Sequence, residues 1–273
     1  MAIQWFPGHM AKAITKLKQT ASKIDVLIEI VDARAPRSTR NPLLTELFPR
    51  KPRLVILNKA DLADESAMGL WINQFKTATS EAIAFCSQHQ QRTTSIELAI
   101  HRLVSSQRSR SYVHAAVFGI PNVGKSTFIN CLFGKKSLNV GNKPGVTKNQ
   151  TWQIISPTIS LLDTPGILWP KIESESAGFI LAALHCIKES IYHNQDICYF
   201  LFDYLQTHYP SSMANRFQFD PTLSDPETIF SFIGQSRGCI LKNKTIDLDR
   251  TYLAFLNDFR SGKLGKLSLE KPS

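Results

Sequence analysis

Four short stretches place glycine, lysine, hydroxyl and carboxylate side chains at spacings suited to phosphate and purine chemistry. Gly119-Ile-Pro-Asn-Val-Gly124-Lys125-Ser126 lies between an apolar run and a helical pattern. In that setting two glycines let the backbone curl until successive N–H groups point at phosphate oxygens beside a helix N-terminus. Lys125 would bridge the β and γ phosphates and Ser126 would offer its hydroxyl to Mg2+. The residues assigned to this cradle are Asn122, Val123, Gly124, Lys125, Ser126 and Thr127. Asn58-Lys59-Ala60-Asp61 follows the strand-like Leu54–Leu57. The Asp61 carboxylate can accept hydrogen bonds from N1–H and the 2-amino group of guanine. Adenine has an acceptor at N1 and no amine at C2, so the stretch reads guanine. A solvated strand-to-helix turn is the plain alternative. Asp163-Thr-Pro-Gly166 also follows a strand pattern, where Asp163 suits Mg2+ and the Gly166 N–H suits a γ-phosphate. In Lys143-Pro-Gly-Val-Thr147, Thr147 is a second candidate hydroxyl for Mg2+, the alternative being an ordinary Pro-Gly turn.

The order of these stretches is unusual, because base-reading Asn-Lys-x-Asp ordinarily lies after the phosphate loop and Asp-x-x-Gly. A downstream substitute, Asn243-Lys244-Thr-Ile-Asp247, puts its carboxylate one residue late and follows no suitable strand. The chain therefore reads as a permuted nucleotide-binding domain, its ordinary termini joined through the polar connector at 105–111. In that order the segment after Gly166 runs directly into the C-terminal third of the chain, so nucleotide state could move that third as a lever.

To position such loops the chain needs strands ending beneath each of them. Apolar, β-branched runs at 25–31, 53–57, 82–86, 112–118, 152–155 and 159–162 supply candidates. Helical patterns at 11–21, 64–77, 94–104 and 125–133 alternate with them, which predicts an α/β fold with a mostly parallel sheet covered on both faces. Beyond Pro170 the pattern changes to helix-period segments at 176–192, 196–208, 226–234 and 248–260. The expected organisation is a permuted P-loop domain over 1–170 and a small all-helical domain over 171–273.

Composition fits a folded chain: 273 residues, 43% hydrophobic and 20% charged. No run is long and apolar enough for a membrane span, and the start, Met1-Ala-Ile-Gln-Trp5, has neither a secretory nor a transit layout, so the expectation is a cytosolic protein with no membrane partner. The five cysteines, Cys86, Cys131, Cys186, Cys198 and Cys239, are scattered without a CxxC pair and read as buried thiols. His89, His101, His114, His185, His193 and His208 have no ligand-like spacing backed by carboxylates, so metals other than Mg2+ and K+ are not indicated. A net charge of +10 is concentrated toward the two ends of the chain, as suits a phosphate-rich partner, or simply solubility. Lys12, Lys16, Lys18 and Lys23 form one basic face; Lys242, Lys244, Arg250, Arg260, Lys263 and Lys266 form a basic tail.

Together with Trp5-Phe-Pro-Gly-His-Met10, Asp32-Ala-Arg34-Ala-Pro36 and Asp258-Phe-Arg-Ser-Gly-Lys-Leu-Gly265, these stretches make the sequence resemble the circularly permuted GTPases, most closely the bacterial ribosome-biogenesis GTPase A family, over nearly the whole chain. The resemblance implies GTP hydrolysis coupled to large-subunit ribosome assembly, with the helical domain on rRNA, no DNA, and a monomer off the ribosome. It also implies K+ recruitment by Asn122 beside the phosphates. The family's small base-backing pair is replaced by Phe85-Cys86-Ser87-Gln88, leaving the Ser87 N–H or Cys86 to serve. Ras-like enzymes place a water-orienting Gln after Asp-x-x-Gly, whereas Ile167 stands there and cannot hydrogen-bond water. His9, in the turn-forming Phe6-Pro7-Gly8 lead-in, is the candidate that takes the water proton. Its alternatives are an exposed turn residue or an RNA contact. Arg34 could act as an arginine finger or anchor a loop. Two other functions fit parts of the pattern: a GTP-dependent switch that recruits proteins, and a metabolic P-loop kinase or ATPase.

Overall fold

The computed structural model describes residues 14–15, 17–87, 93–105, 112–133, 151–169, 172, 174–220 and 222–272. The first half alternates β1 (Val26–Asp32), the short helices α1 (Pro36–Thr39) and α2 (Leu43–Leu47), β2 (Arg53–Asn58), α3 (Glu65–Phe75), β3 (Ser80–Phe85) and α4 (Thr94–Ser105). Then come β4 (Val113–Phe118), α5 (Lys125–Phe133), β5 (Thr151–Ser156) and β6 (Ile159–Asp163). The sheet has the order β3-β2-β1-β4-β6-β5, parallel except for antiparallel β5 at one edge. This is the expected mostly parallel α/β sheet. Every β1 residue is buried because both faces are covered. Val26, Ile28 and Ile30 pack toward α4, while Leu27 and Val31 face the opposite side with Phe118, Trp71 and Phe75.

The remainder is helical: α6 (Glu175–Ala183), α7 (Asn194–His208), α8 (Pro210–Phe217), α9 (Pro226–Ser236) and α10 (Leu248–Arg260). Caps explain their limits. Ser174, Asp225 and Asp247 accept backbone N–H groups at the starts of α6, α9 and α10. The helix expected over 176–192 stops instead at Ala183. His185 N–H donates to Ala182 O and Cys186 N–H to Leu181 O, with His185 at φ +61°, which makes a Schellman cap without the usual glycine. Helix α8 has no counterpart among the expected segments; Pro210 at its first turn and buried Met213, Ala214 and Phe217 account for it. The largest apolar cluster continues from β1 and β4 into α6, α7, α9 and α10. The division near residue 171 falls at Pro170-Lys171, outside the described residues. All five cysteines are free thiols, four of them buried. Among the described residues no helix is long and apolar enough to cross a membrane.

Beyond α10 the chain returns to the first half. Leu267 N–H donates to Leu62 O at 3.0 Å and Leu269 N–H to Arg34 O at 2.7 Å. Glu270 accepts from the backbone N–H groups of Arg37 and Ser38, and its own carbonyl accepts from Trp71 Nε1. Leu264, Leu267 and Leu269 are buried along this strap.

Candidate active site

Parallel strands bring their carboxyl ends to one edge. Asp32 lies level with Asn58, Asn58 with Phe85, and Val117 with Asp163. In the sheet β4 has β6 and then β5 on one side and β1, β2 and β3 on the other, so the strand order reverses and a crevice opens beyond the ends of β1 and β4. The loops holding Asn58–Asp61, Cys86-Ser87, Gly119–Gly124 and Asp163–Gly166 all emerge at this edge.

Their contacts are direct. Asn58 Nδ2 donates to Val123 O at 2.8 Å, and Asn58 Oδ1 accepts from the Ser87 N–H at 3.2 Å and the Ser87 hydroxyl at 2.8 Å. Lys59 Nζ donates to Asn122 O at 3.0 Å and to Asp32 Oδ2 at 2.8 Å. One buried amide thus ties three loops together, and Ser87 uses its N–H to hold the base loop's asparagine. Glycine is required where these loops meet. Gly124 has φ +97°, and a Cβ there would sit 2.3 Å from Asn58 Nδ2. A Cβ on Gly166 would lie 3.0 Å from Lys125 Nζ and 3.1 Å from the Pro121 backbone. Asp61 stands in the 3-10 turn Ala60–Leu62, whose entry residue Lys59 is left-handed at φ +58°.

Lys125 is 7% exposed and donates to Ile120 O at 2.7 Å. Burial lowers its pKa to about 8, partly opposed by the Asp163 carboxylate. Asp163 is 2% exposed, and neither carboxylate oxygen meets the geometry of a hydrogen bond. Burial raises its pKa to about 6 against the attraction of Lys125 and the Thr164 N–H. A buried carboxylate without a proper partner is what a cation ligand looks like before its cation arrives, so the residues fit Mg2+.

Burying Asp163 also makes the stability of the nucleotide-free protein depend on pH. Asp163 has its pKa raised on folding, so its contribution is full below about pH 4 and is lost as pH rises through about 6. At pH 7.5 the ionised group is a liability of at most about 3 kcal/mol. Asp163→Asn is therefore expected to stabilise the protein by about 1–2 kcal/mol at pH 7.5 in urea unfolding, with little gain at pH 4.5. A destabilised variant at pH 7.5 would mean that the carboxylate is already compensated.

Other residues complete the frame. Asn41 Nδ2 donates to Ile167 O at 2.8 Å, fixing the segment after Gly166. Arg34 is 2% exposed and forms a two-pronged pair with Asp32, Nε to Oδ1 and NH2 to Oδ2, both at 2.9 Å. It is an anchor, and its guanidinium has no freedom to act as a finger. Sequence reasoning did not place Asn41 or His185 here, since neither has a spacing that marks it. Arg260, grouped with the basic tail, instead donates to Ala182 O and Ala183 O. Lys263 and Lys266 pair with Asp258 and Glu65. His9 and Lys143–Thr147 lie outside the described residues.

Comparison with known proteins gives this geometry a family. A family model described as 50S ribosome-binding GTPase matches residues 114–225, which include the phosphate loop and Asp163–Gly166 but leave Asn58–Asp61 upstream. The ribosome biogenesis GTPase A of Bacillus cereus is 42% identical over 281 residues, spanning 100% of this chain and 95% of that protein. The chain belongs to the ribosome biogenesis GTPase A family. Its Priestia megaterium relative of the same name is 38% identical over 282 residues, covering 100% of this chain and 98% of that one. Among solved structures, GNP-bound YlqF from T. maritima superposes with a TM-score of 0.71 at 26% identity, over 96% of this chain and 99% of that one. In this chain the base loop precedes the phosphate loop in sequence, and the contacts of Asn58 with Val123 and of Lys59 with Asn122 bring the two together.

Proposed function

We propose that this GTP-hydrolysing ribosome biogenesis factor acts on the large ribosomal subunit, binding its precursor in the GTP state, contacting rRNA, and working as a cytoplasmic monomer when off the ribosome. The observation that carries the nucleotide part is the pair of contacts from Asn58 and Lys59 to Val123 and Asn122, which hold the base loop against the phosphate loop.

In this reading Asp61 takes the guanine edge, backed by Ala60, Cys86 and Ser87, while the phosphates lie across the N-terminus of α5 between Asn122 and Thr127. Ser126, Asp163 and Thr147 would hold Mg2+, whose charge offsets that of the β and γ oxygens. Lys125 adds its ammonium to the same oxygens and the Gly166 N–H meets the γ-phosphate. Asn122 is the residue that would hold K+ in place of an arginine finger. Water attacks the γ phosphorus, the bond to the β–γ bridging oxygen breaks, and His9 accepts the water proton. The attachment of the His9 segment supports this role: Ile14 and Leu17 line one small cavity with Gly119, Pro165 and Ile167. Ile14 follows His9 by five residues in the sequence.

His9→Ala is expected to lower turnover about 10²-fold or more and leave GTP affinity within about twofold. Equal single-turnover rates in the two proteins would remove His9 from the mechanism. The assembly role is tested by cosedimentation with large-subunit precursors in GDP and in a non-hydrolysable GTP analogue, at increasing salt. Analogue-dependent, salt-sensitive binding is expected. Salt-insensitive capture of proteins alone would favour the recruiting switch.

A further inference from the structure

Among the described residues five non-glycine residues have left-handed backbone, and three of them meet at the nucleotide loops: Lys59 at φ +58°, Asn122 at +63° and His185 at +61°. Each conformation costs of order 1 kcal/mol, so three in contact point to a shared purpose. Lys59 Nζ donates to Asn122 O at 3.0 Å, and Asn122 Nδ2 donates to His185 O at 2.6 Å. Asn122 is thus gripped by its backbone from the base loop and by its side chain from the end of α6.

From these two ends the connections close into a ring. On one side Lys59 pairs with Asp32, Asp32 with Arg34, and Arg34 NH1 donates to the carbonyls of Phe259 and Arg260 at 3.3 and 3.5 Å. Those carbonyls end α10, and the Arg34 guanidinium also lies over the Phe259 ring, 5.2 Å from its centroid. On the other side His185 caps α6, whose Ala183 and Ala182 carbonyls accept from Arg260 at 2.9 and 3.0 Å. Arg260 is the last residue of α10. Two helix C-termini, each a site of partial negative charge, are therefore clamped by arginines that lead back to the phosphate loop.

The ring is largely buried and its charges alternate. Burial alone would push the Asp32 carboxyl up, but attraction and hydrogen bonds from Arg34 and Lys59 hold it well below the usual carboxylate range. Cys186, buried beside the same groups, has its thiol pushed up by burial to about 12 and stays neutral. Removing one member leaves a neighbouring charge uncompensated, so the links form or fail together.

We propose that Asp32, Arg34 and Arg260 are positioning residues of a closed ring that makes occupancy of the nucleotide pocket and the seating of α6 and α10 mutually dependent. This rests on the reading of the pocket as a guanine-nucleotide site. A phosphate group that shifts Asn122 must pull on both Lys59 and His185, and so on both helix ends. By linkage, a load on α10 must alter nucleotide affinity by the same factor. At its far end α10 offers such a handle: the Asp247 N–H at its start donates to Cys239 O, Ile240 bridges Ile246, and Ile240, Leu241, Leu248 and Leu253 are all exposed.

Hydrogen exchange of the full-length chain with and without GDP and Mg2+ tests the ring. In wild type, GDP should slow exchange in residues 182–187 and 256–269. In Arg34→Met that slowing should disappear and GDP affinity should fall about 10-fold. Arg34→Lys keeps a cation for Asp32 without reaching the helix carbonyls, and should recover affinity to within about threefold but not the slowing. Arg260→Met, which alters no residue assigned to the nucleotide, should lose the slowing in 182–187 and carries the test if Arg34→Met does not fold. A wild-type chain that binds GDP with no change in exchange at either helix end would overturn the ring and leave the pocket standing. Failure of the wild type to bind GDP would instead overturn the pocket.

Discussion

Asp61→Asn is expected to weaken GTP binding by about 10³-fold, because an amide that replaces the carboxylate has one acceptor oxygen instead of two and turns its NH2 donor toward the donor edge formed by the guanine N1–H and 2-amino groups. The same change should improve binding of xanthosine triphosphate, whose C2 carbonyl accepts from the new amide. The fold should be unaffected, since the local support comes from the backbone: Leu62 N–H donates to Lys59 O at 3.0 Å, and Leu62 O accepts from Leu267. Competition for a fluorescent guanine nucleotide, with both triphosphates as competitors, measures the switch. Unchanged GTP affinity would mean that another group reads the base and that the loop is only a turn.

Lys125→Met should lower GTP affinity by about 10²–10³-fold, the loss of one buried charge pairing with phosphate. Its second signature is a proton. With the pKa lowered to about 8 in the empty pocket, Lys125 is about half neutral at pH 8 and regains its charge when phosphates arrive. Calorimetry in buffers of different ionisation enthalpy should therefore show uptake of about half a proton at pH 8 in wild type and none in the variant. Without nucleotide the variant should be at least as stable as wild type at pH 7, because a lysine whose pKa is lowered by folding costs stability as pH falls through about 8. Equal proton uptake in both proteins would place the titrating group elsewhere.

Both predictions depend on loops that could be recognised in the sequence because their chemistry demands fixed residue types at fixed separations. The parallel sheet was legible too: strands covered on both faces, such as Val26–Asp32, need continuous apolar runs. What escaped was whatever depends on distant backbone groups. His185 occupies a position where glycine would advertise a helix end, so the helical periodicity in the sequence runs on to 192. Asn41 is chosen by the carbonyl of Ile167, 126 residues away, and no local regularity reports it. Arg34 showed its charge and its neighbour Asp32, but not the end of α10 that it also serves. Arg260 and Lys266 carried the same charge as their exposed neighbours, and only the fold separates those that hold carbonyls or carboxylates from those left to solvent.

The strap after α10 has a consequence for how the protein is made. Asp64 N–H donates to the Ser268 hydroxyl across 204 residues, and Leu62 and Arg34 receive the strap's N–H groups across similar spans. Translation proceeds from the amino end, so the guanine loop emerges long before the residues that brace it. A nascent chain can pair its strands early, yet the bonds that Leu62, Arg34 and Asp64 make with the strap form only after residues 267–269 have left the translating ribosome. The base loop is thus braced by a segment synthesised after the whole sheet and all the helices that follow it.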